Sequence, residues 1–297
     1  MKSKYVKYAD RVLSDVSKDK KVLIIGATGG LGSSLSELYY GEGFDLILAG
    51  RNEKSLLSLK EKLVSEHGNK AGILLIDFEK RESVDSALEE LSTLKIDILI
   101  NVSGIYHQER EFIGDYEKMY LVDFLNPAYF IDRFLEDHKD TLVLQTGSVS
   151  YNYEKKIDWD DIQGLKIKNK TNRYGMIKRE IMQYCVAKRR EGYDVLICHP
   201  GVAVTNLFHP KNKAYGKWFY RICVPIMKVI FMSGDKACLS FVFAPSMTDV
   251  KDNEWIGPRG LFHSYGYPNK QKLKKNILKE SNCNKILEIV NDYRESK

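Results

Sequence analysis

Little in these 297 residues suggests a disulfide framework, a metal knuckle or a membrane span. The five cysteines, at 185, 198, 223, 238 and 283, are odd in number and contain no C-x-x-C pair, which fits reduced thiols and excludes a zinc-knuckle pattern. No apolar run reaches the roughly 20 uncharged residues of a spanning helix, because Arg221 and Lys228 interrupt the most apolar region, 218–232. The opening MKSKYVKYADRVLSDVSKDKK has no apolar h-region and no small-residue cleavage site, so a secretory signal is not expected and a cytoplasmic location is. Charge is not concentrated either. The formal +6 is spread over Lys166/Lys168/Lys170, Lys188-Arg189-Arg190 and Lys211/Lys213, as on a solvated surface rather than a nucleic-acid face. Asp158, Asp160 and Asp161 lack a His or further carboxylate at ligand spacing, and His199 and His209 stand singly, so no metal is expected.

Six short apolar runs are present: 22–25, 45–49, 72–76, 96–100, 141–145 and 194–198. Charged stretches of helical period separate them, predicting helices near 30–42, 52–67, 81–94, 114–137, 172–191, 234–244 and 271–294. Near-continuous apolarity says that both faces of each strand are covered. The expected fold is therefore α/β, a single doubly wound parallel-sheet (Rossmann-type) domain with helices on both faces. Residues 1–20 read as an amphipathic lead-in, 21–270 as one domain and 271–297 as a C-terminal helix.

The first strand runs straight into Gly26-Ala27-Thr28-Gly29-Gly30-Leu31-Gly32 and then into a helix. A glycine turn there lets amide groups at a helix N-terminus meet a diphosphate, with Gly26 making the tight turn, Gly30 the close approach and Gly32 the helix–strand packing. A purely structural turn is the other reading, and the missing Lys-Ser/Thr excludes a P-loop.

This spacing resembles the T-G-x-x-x-G-x-G turn of the short-chain dehydrogenase/reductase family, with Ile25 in the place of its Thr. Further matching stations follow in order. Asp77 and Phe78 close the third strand, and Asn101-Val102-Ser103-Gly104 stands where the family has N-N-A-G. Gln145-Thr146-Gly147-Ser148 ends the fifth strand, and Pro200-Gly201-Val202 through Thr205 resembles P-G-x-x-x-T. The runs IDWDDIQ, HPGVAVTNLF and WIGPRGLFHSYGYP are most similar to the retinol-dehydrogenase-like branch. The resemblance implies a cofactor site of Gly26, Thr28, Gly29, Gly30, Leu31, Gly32, Arg51, Asn52, Asp77, Phe78, Asn101, Ser103, Gly104, Tyr174, Lys178, Pro200, Gly201, Val202 and Thr205. It also implies that 21–270 is the nucleotide-binding catalytic domain, that 206–232 within it is a substrate lid, and that the substrate is an apolar carbonyl or alcohol.

Y-x-x-x-K occurs four times, at Tyr151/Lys155, Tyr174/Lys178, Tyr184/Lys188 and Tyr293/Lys297. Spacing to Ser148 and to the sixth strand selects Tyr174, with Lys178 one helical turn on. The resemblance makes Tyr174 the proton donor and acceptor, Lys178 the cation that lowers the phenol's pKa, and Ser148 the carbonyl anchor. Where the family has Asn, Val122-Asp123-Phe124-Leu125-Asn126 offers Asp123, with Asn126 as a substitute or impaired catalysis as the consequence. After the second strand, Gly50-Arg51 lacks the carboxylate that selects NAD and offers a donor fork for an added phosphate, favouring NADP, with NAD as the alternative. The expectation is an NADP-dependent carbonyl/alcohol oxidoreductase, and its rival is a non-catalytic nucleotide-binding sensor on the same fold. Homo-oligomers are common in the family. Contact of 206–232 with a membrane surface is the less favoured reading of that segment.

Overall fold

The computed structural model describes residues 4–67, 70–106, 109–154, 156–201, 234–247, 249–260 and 266–296. Val202, Thr205, His209 and the expected lid 206–232 lie outside the described residues. The strands are β1 (Lys21–Ile25), β2 (Asp45–Gly50), β3 (Ala71–Leu75), β4 (Ile98–Asn101), β5 (Phe112–Ile113), β6 (Tyr116–Glu117), β7 (Leu142–Thr146), β8 (Val195–Cys198), β9 (Glu254–Pro258) and β10 (Pro268–Lys272). The helices are α1 (Lys4–Ser14), α2 (Gly30–Gly41), α3 (Glu53–His67), α4 (Arg81–Leu91), α5 (Lys118–Tyr120), α6 (Asn126–Asp137), α7 (Lys170–Arg190), α8 (Gly234–Ala237), α9 (Leu239–Phe243) and α10 (Glu280–Glu295).

Among the described residues, one sheet of eight strands, in the order β10-β9-β8-β7-β4-β1-β2-β3, forms the centre, while β5 and β6 make a separate short hairpin. All neighbours in the large sheet are parallel except β10, which runs antiparallel to β9. The sequence direction reverses between β1 and β4, and a doubly wound sheet opens its ligand crevice at that switch. Alternation along β1 explains the two covered faces. Leu23 and Ile25 join one buried cluster, with Phe124, Ile181 and Trp255, while Val22 and Ile24 join the other, with Leu35, Tyr39 and Phe241. Each such side chain contributes about 1.5–3 kcal/mol by leaving water.

Three elements depart from the sequence expectations. The helix expected over 271–294 begins only at Glu280, because 271 and 272 belong to the edge strand β10, which straddles the expected boundary at 270. Pairing explains this, because Pro268 to Lys272 complete a ladder with Pro258 to Glu254. The lead-in carries α1, whose Ala9, Val12 and Leu13 are buried. The helix expected over 114–137 is composite: a strand at Tyr116–Glu117, α5, a π-helical turn over Leu121–Leu125, then α6.

Candidate active site

Parallel pairing places the residues that follow each strand at one edge of the sheet. There the glycine turn follows β1, Arg51 follows β2, Asp77 and Phe78 follow β3, Ser103 and Gly104 follow β4, Ser148 follows β7 and Pro200-Gly201 follow β8.

The turn is built by close backbone contacts. Gly26 has φ +86°, and a Cβ there would stand 2.8 Å from the Ser103 nitrogen; one on Gly32 would stand 2.0 Å from the Gly26 oxygen. Gly26 and Ala27 both donate to the Ala49 carbonyl, at 2.9 and 3.1 Å. Thr28, Gly29 and Gly30 are exposed, a Cβ on Gly30 would meet nothing within 4 Å, and no side chain caps the start of α2 at Gly29. Uncapped amides beside open space are what a diphosphate requires, and an added Cβ on Gly30 would project into that space. Ile25 is a buried core residue paired with Ala49 and Asn101.

Other members of the expected nucleotide set have local partners. Asn101 donates to Gln145 Oε1 at 2.9 Å, and its own oxygen accepts from the Ser103 amide and hydroxyl, so its side chain ties β4 to β7 and shapes the loop behind the crevice. Asn52 caps α3 by accepting from Ser55 N. Arg51 is largely exposed and donates to Glu79 at 2.6 Å, and Glu79 also pairs with Lys118 at 3.2 Å. Asp77 accepts from Glu79 N at 3.0 Å.

Tyr174 lies in the first turns of α7, beside Ser148. Tight packing holds it there. A Cβ on Gly175 would stand 2.3 Å from the Ser150 carbonyl, and Arg179 donates to the Tyr151 and Glu154 carbonyls, clamping 148–154 onto α7. The Ser148 hydroxyl accepts from Ser150 Oγ at 2.7 Å and hydrogen-bonds the Tyr174 hydroxyl. Tyr106 meets Tyr174 edge-on at 5.3 Å and hydrogen-bonds Thr171 at 3.0 Å. Gly175, Arg179 and Tyr106 were missed by sequence reasoning. For Gly175 a signal existed, since a glycine one residue past the candidate tyrosine marks a close backbone approach.

Lys178 sits 5.4 Å from the Tyr174 ring centre and pairs with Asp123 Oδ2 at 2.9 Å, both side chains being at most 3% exposed. The other Asp123 oxygen accepts from Ile105 N at 2.7 Å. The π-helical turn presents Asp123 here, and Gly104 leaves room for it, since a Cβ there would lie 3.3 Å from both carboxylate oxygens. The electrostatics differ from the sequence expectation. Burial pushes the Tyr174 phenol above its usual pKa; Lys178 and Ser148 pull it down, Asp123 pushes it up, and the net direction is up. Burial works against the Lys178 ammonium, yet Asp123, by charge and hydrogen bond, and Tyr174 hold its pKa above the ordinary value. The lysine's charge is thus shared between phenol and carboxylate. Asn126 is not a substitute for Asp123: its amide donates to the Phe78 carbonyl and accepts from Tyr293.

Residues 20–126 match the family model described as short chain dehydrogenase. That segment, about a third of the chain, is similar to the short-chain dehydrogenases. Among curated relatives, dehydrogenase/reductase SDR family member 7B of Xenopus tropicalis is 36% identical over 98 residues, 31% of this chain and 32% of that protein. The chain's matches span about a third of the length of the first curated relatives. An uncharacterized protein from Mycobacterium paratuberculosis superposes with a TM-score of 0.74 at 17% identity, covering 94% of each chain. L-sorbose reductase from Gluconobacter frateurii, solved with NADPH and L-sorbose, superposes with a TM-score of 0.56 at 19% identity, covering 77% of this chain and 90% of that one. Both likenesses are of fold. No helix among the described residues is long and apolar enough to cross a membrane.

Proposed function

We propose that this chain is an NADP-dependent oxidoreductase of the short-chain dehydrogenase type that interconverts an apolar carbonyl compound and its alcohol, in the manner of the retinol-dehydrogenase-like branch. The observation that carries the reading is the Ser148–Tyr174–Lys178–Asp123 constellation at the strand edge that also holds the open glycine turn. Related folds solved with NADPH support the choice of nucleotide, as does Arg51 after β2.

The fit of the nucleotide rests on uncapped α2 amides and the open face of Gly30, with Arg51 for a ribose phosphate and Asp77-Phe78 on the adenine side. When bound, the nicotinamide ring supplies or accepts the hydride. Ser148 donates to the substrate oxygen and orients it. Tyr174 passes its hydroxyl proton to that oxygen during reduction and takes it back during oxidation, the phenolate being stabilised by Lys178. Asp123 holds Lys178 in place and accepts from the Ile105 amide, which closes the inner wall. Tyr106, edge-on to Tyr174, lends an aromatic wall suited to an apolar substrate.

The test is loss of NADPH absorbance with a panel of ketones and aldehydes of rising hydrophobicity. The reading expects turnover with apolar carbonyls, preference for NADPH over NADH, and loss of that preference in Arg51→Ala. Nucleotide binding without turnover on any carbonyl or alcohol, unchanged by Tyr174→Phe, would instead favour the sensor.

A further inference from the structure

We propose that Tyr293, on α10, is a positioning residue for the adenosine half of the nucleotide, acting through Asn126 on the backbone of Phe78. The inference rests on the nucleotide reading above. The sheet order separates the two halves of the crevice: Ser148 and the reacting pair lie on the β7–β4 side, whereas Arg51 follows β2 and Asp77-Phe78 follow β3. The loop after β3 therefore borders the nucleoside end.

That loop is tethered from behind. The Phe78 carbonyl can only accept, and it takes Asn126 Nδ2 at 2.8 Å. This orients the fully buried Asn126 amide, whose oxygen then takes the Tyr293 hydroxyl at 2.6 Å. Burial pushes Tyr293 up to about 12, with Arg81 opposing, so the hydroxyl keeps its proton at any working pH and remains a donor. Arg81, three residues after Phe78, donates to the carbonyls of Tyr293, Arg294 and Ser296 at 2.7, 2.7 and 2.5 Å. Its guanidinium lies 4.8 Å from the Tyr293 ring and 4.7 Å from that of Tyr129. Arg81 is thus bound to α10 directly and Phe78 through Asn126 of α6. On its front side the same segment meets the crevice, where Asp77 holds the Glu79 amide and Glu79 holds Arg51. A shift of the Phe78 carbonyl would carry Asp77 and the Arg51 anchor with it. None of these bonds is needed to pair β3 with β2, which the strand ladder does by itself.

The experiment uses the full chain and three probes: NADPH, adenosine 2′,5′-bisphosphate for one half, and reduced nicotinamide mononucleotide for the other. Removing one buried hydrogen bond predicts that Tyr293→Phe weakens NADPH and the bisphosphate alike by roughly 5- to 10-fold. The mononucleotide affinity and kcat at saturating NADPH stay within about twofold. Without nucleotide, amide hydrogen exchange at 77–80 accelerates in the variant. Arg81→Lys, which keeps the charge but loses the fork, moves the same readouts in the same direction and carries the test if Tyr293→Phe does not fold. Unchanged bisphosphate affinity in the folded variant, or equal losses on both halves and on kcat, overturns the positioning role while leaving the proposed function standing. Failure of the unmodified protein to bind either NADPH or the bisphosphate overturns the functional reading first.

Discussion

Helix α7 carries the same tyrosine–lysine spacing twice, ten residues apart, and each lysine meets an aspartate from the neighbouring helical run. Lys178 pairs with Asp123 at 2.9 Å and Lys188 with Asp132 at 3.0 Å. The two tyrosines differ in what lies beyond them. Tyr184 is fully buried with its hydroxyl turned to Asp132, whereas Tyr174 is half-buried and turned to Ser148. Ten residues of helix span about 15 Å, enough to move from the carboxyl edge of the sheet toward its amino edge. A local pattern of two side chains therefore says little until the fold decides which edge it faces.

The comparison breaks most simply by removing the two hydroxyls. Tyr174→Phe is expected to lower kcat/KM by roughly 10²- to 10⁴-fold, the usual worth of a positioned acid–base group. Tyr184→Phe leaves turnover within about twofold and costs about 1 kcal/mol in a denaturant titration. The reverse outcome would move the reacting centre to the other pair.

The lysines sharpen the contrast. Lys178→Met strands the Asp123 carboxylate in the interior and should destabilise by about 3–5 kcal/mol as well as impair turnover. Lys188→Met should cost less, because Asp132 keeps Arg294 at 3.3 Å. Denaturant midpoints of both variants check the order.

A smaller effect separates charge from shape at Asp123. Its carboxylate raises the Tyr174 pKa, so Asp123→Asn should shift the alkaline-side activity rise to lower pH, read from kcat/KM against pH for alcohol oxidation. A shift to higher pH would contradict the assigned direction.

The weakest expected effect is alkaline. Folded Tyr184 is raised well above 10.0 by burial, and Asp132 adds to the rise. Its contribution is fully present below the unfolded pKa near 10 and is lost as pH climbs toward the folded value, because only the unfolded phenol then releases its proton. Tyr293, raised to about 12, behaves the same way between 10 and 12. Unfolding free energy measured across this window should fall, and fall less steeply in Tyr184→Phe.

Much of the architecture was legible in advance because apolar runs and helical periods are local. Each of the six expected parallel strands overlaps a strand of the sheet, and the glycine turn stands between β1 and α2. The errors lie where long-range pairing overrides local pattern. Residues 271 and 272 read as the start of a helix but belong to the strand that completes a ladder with β9, and the aspartate-bearing helix hides a π-helical turn that no periodicity announces. The candidate site divides in the same way. Ser148, Tyr174 and Lys178 could be named from order and spacing, but the phenol's upward shift depends on how burial and Asp123 balance against Lys178, which only packing sets. The links from Gly175 to Ser150, from Arg179 to Tyr151 and from Tyr293 to Asn126 join residues distant in the chain, and of these only Gly175 carries a local signal, the glycine beside the candidate tyrosine.

By itself the sequence determined the alternation of strands and helices, the glycine turn and the candidate acid–base pair, because each depends on neighbours within a few residues. Tertiary structure alone decided that Asp123 shares the lysine's charge and that α10 is tied through Asn126 to the loop after β3. Those outcomes depend on distances across the core and on which charges lose their water together, and neither is written in local order.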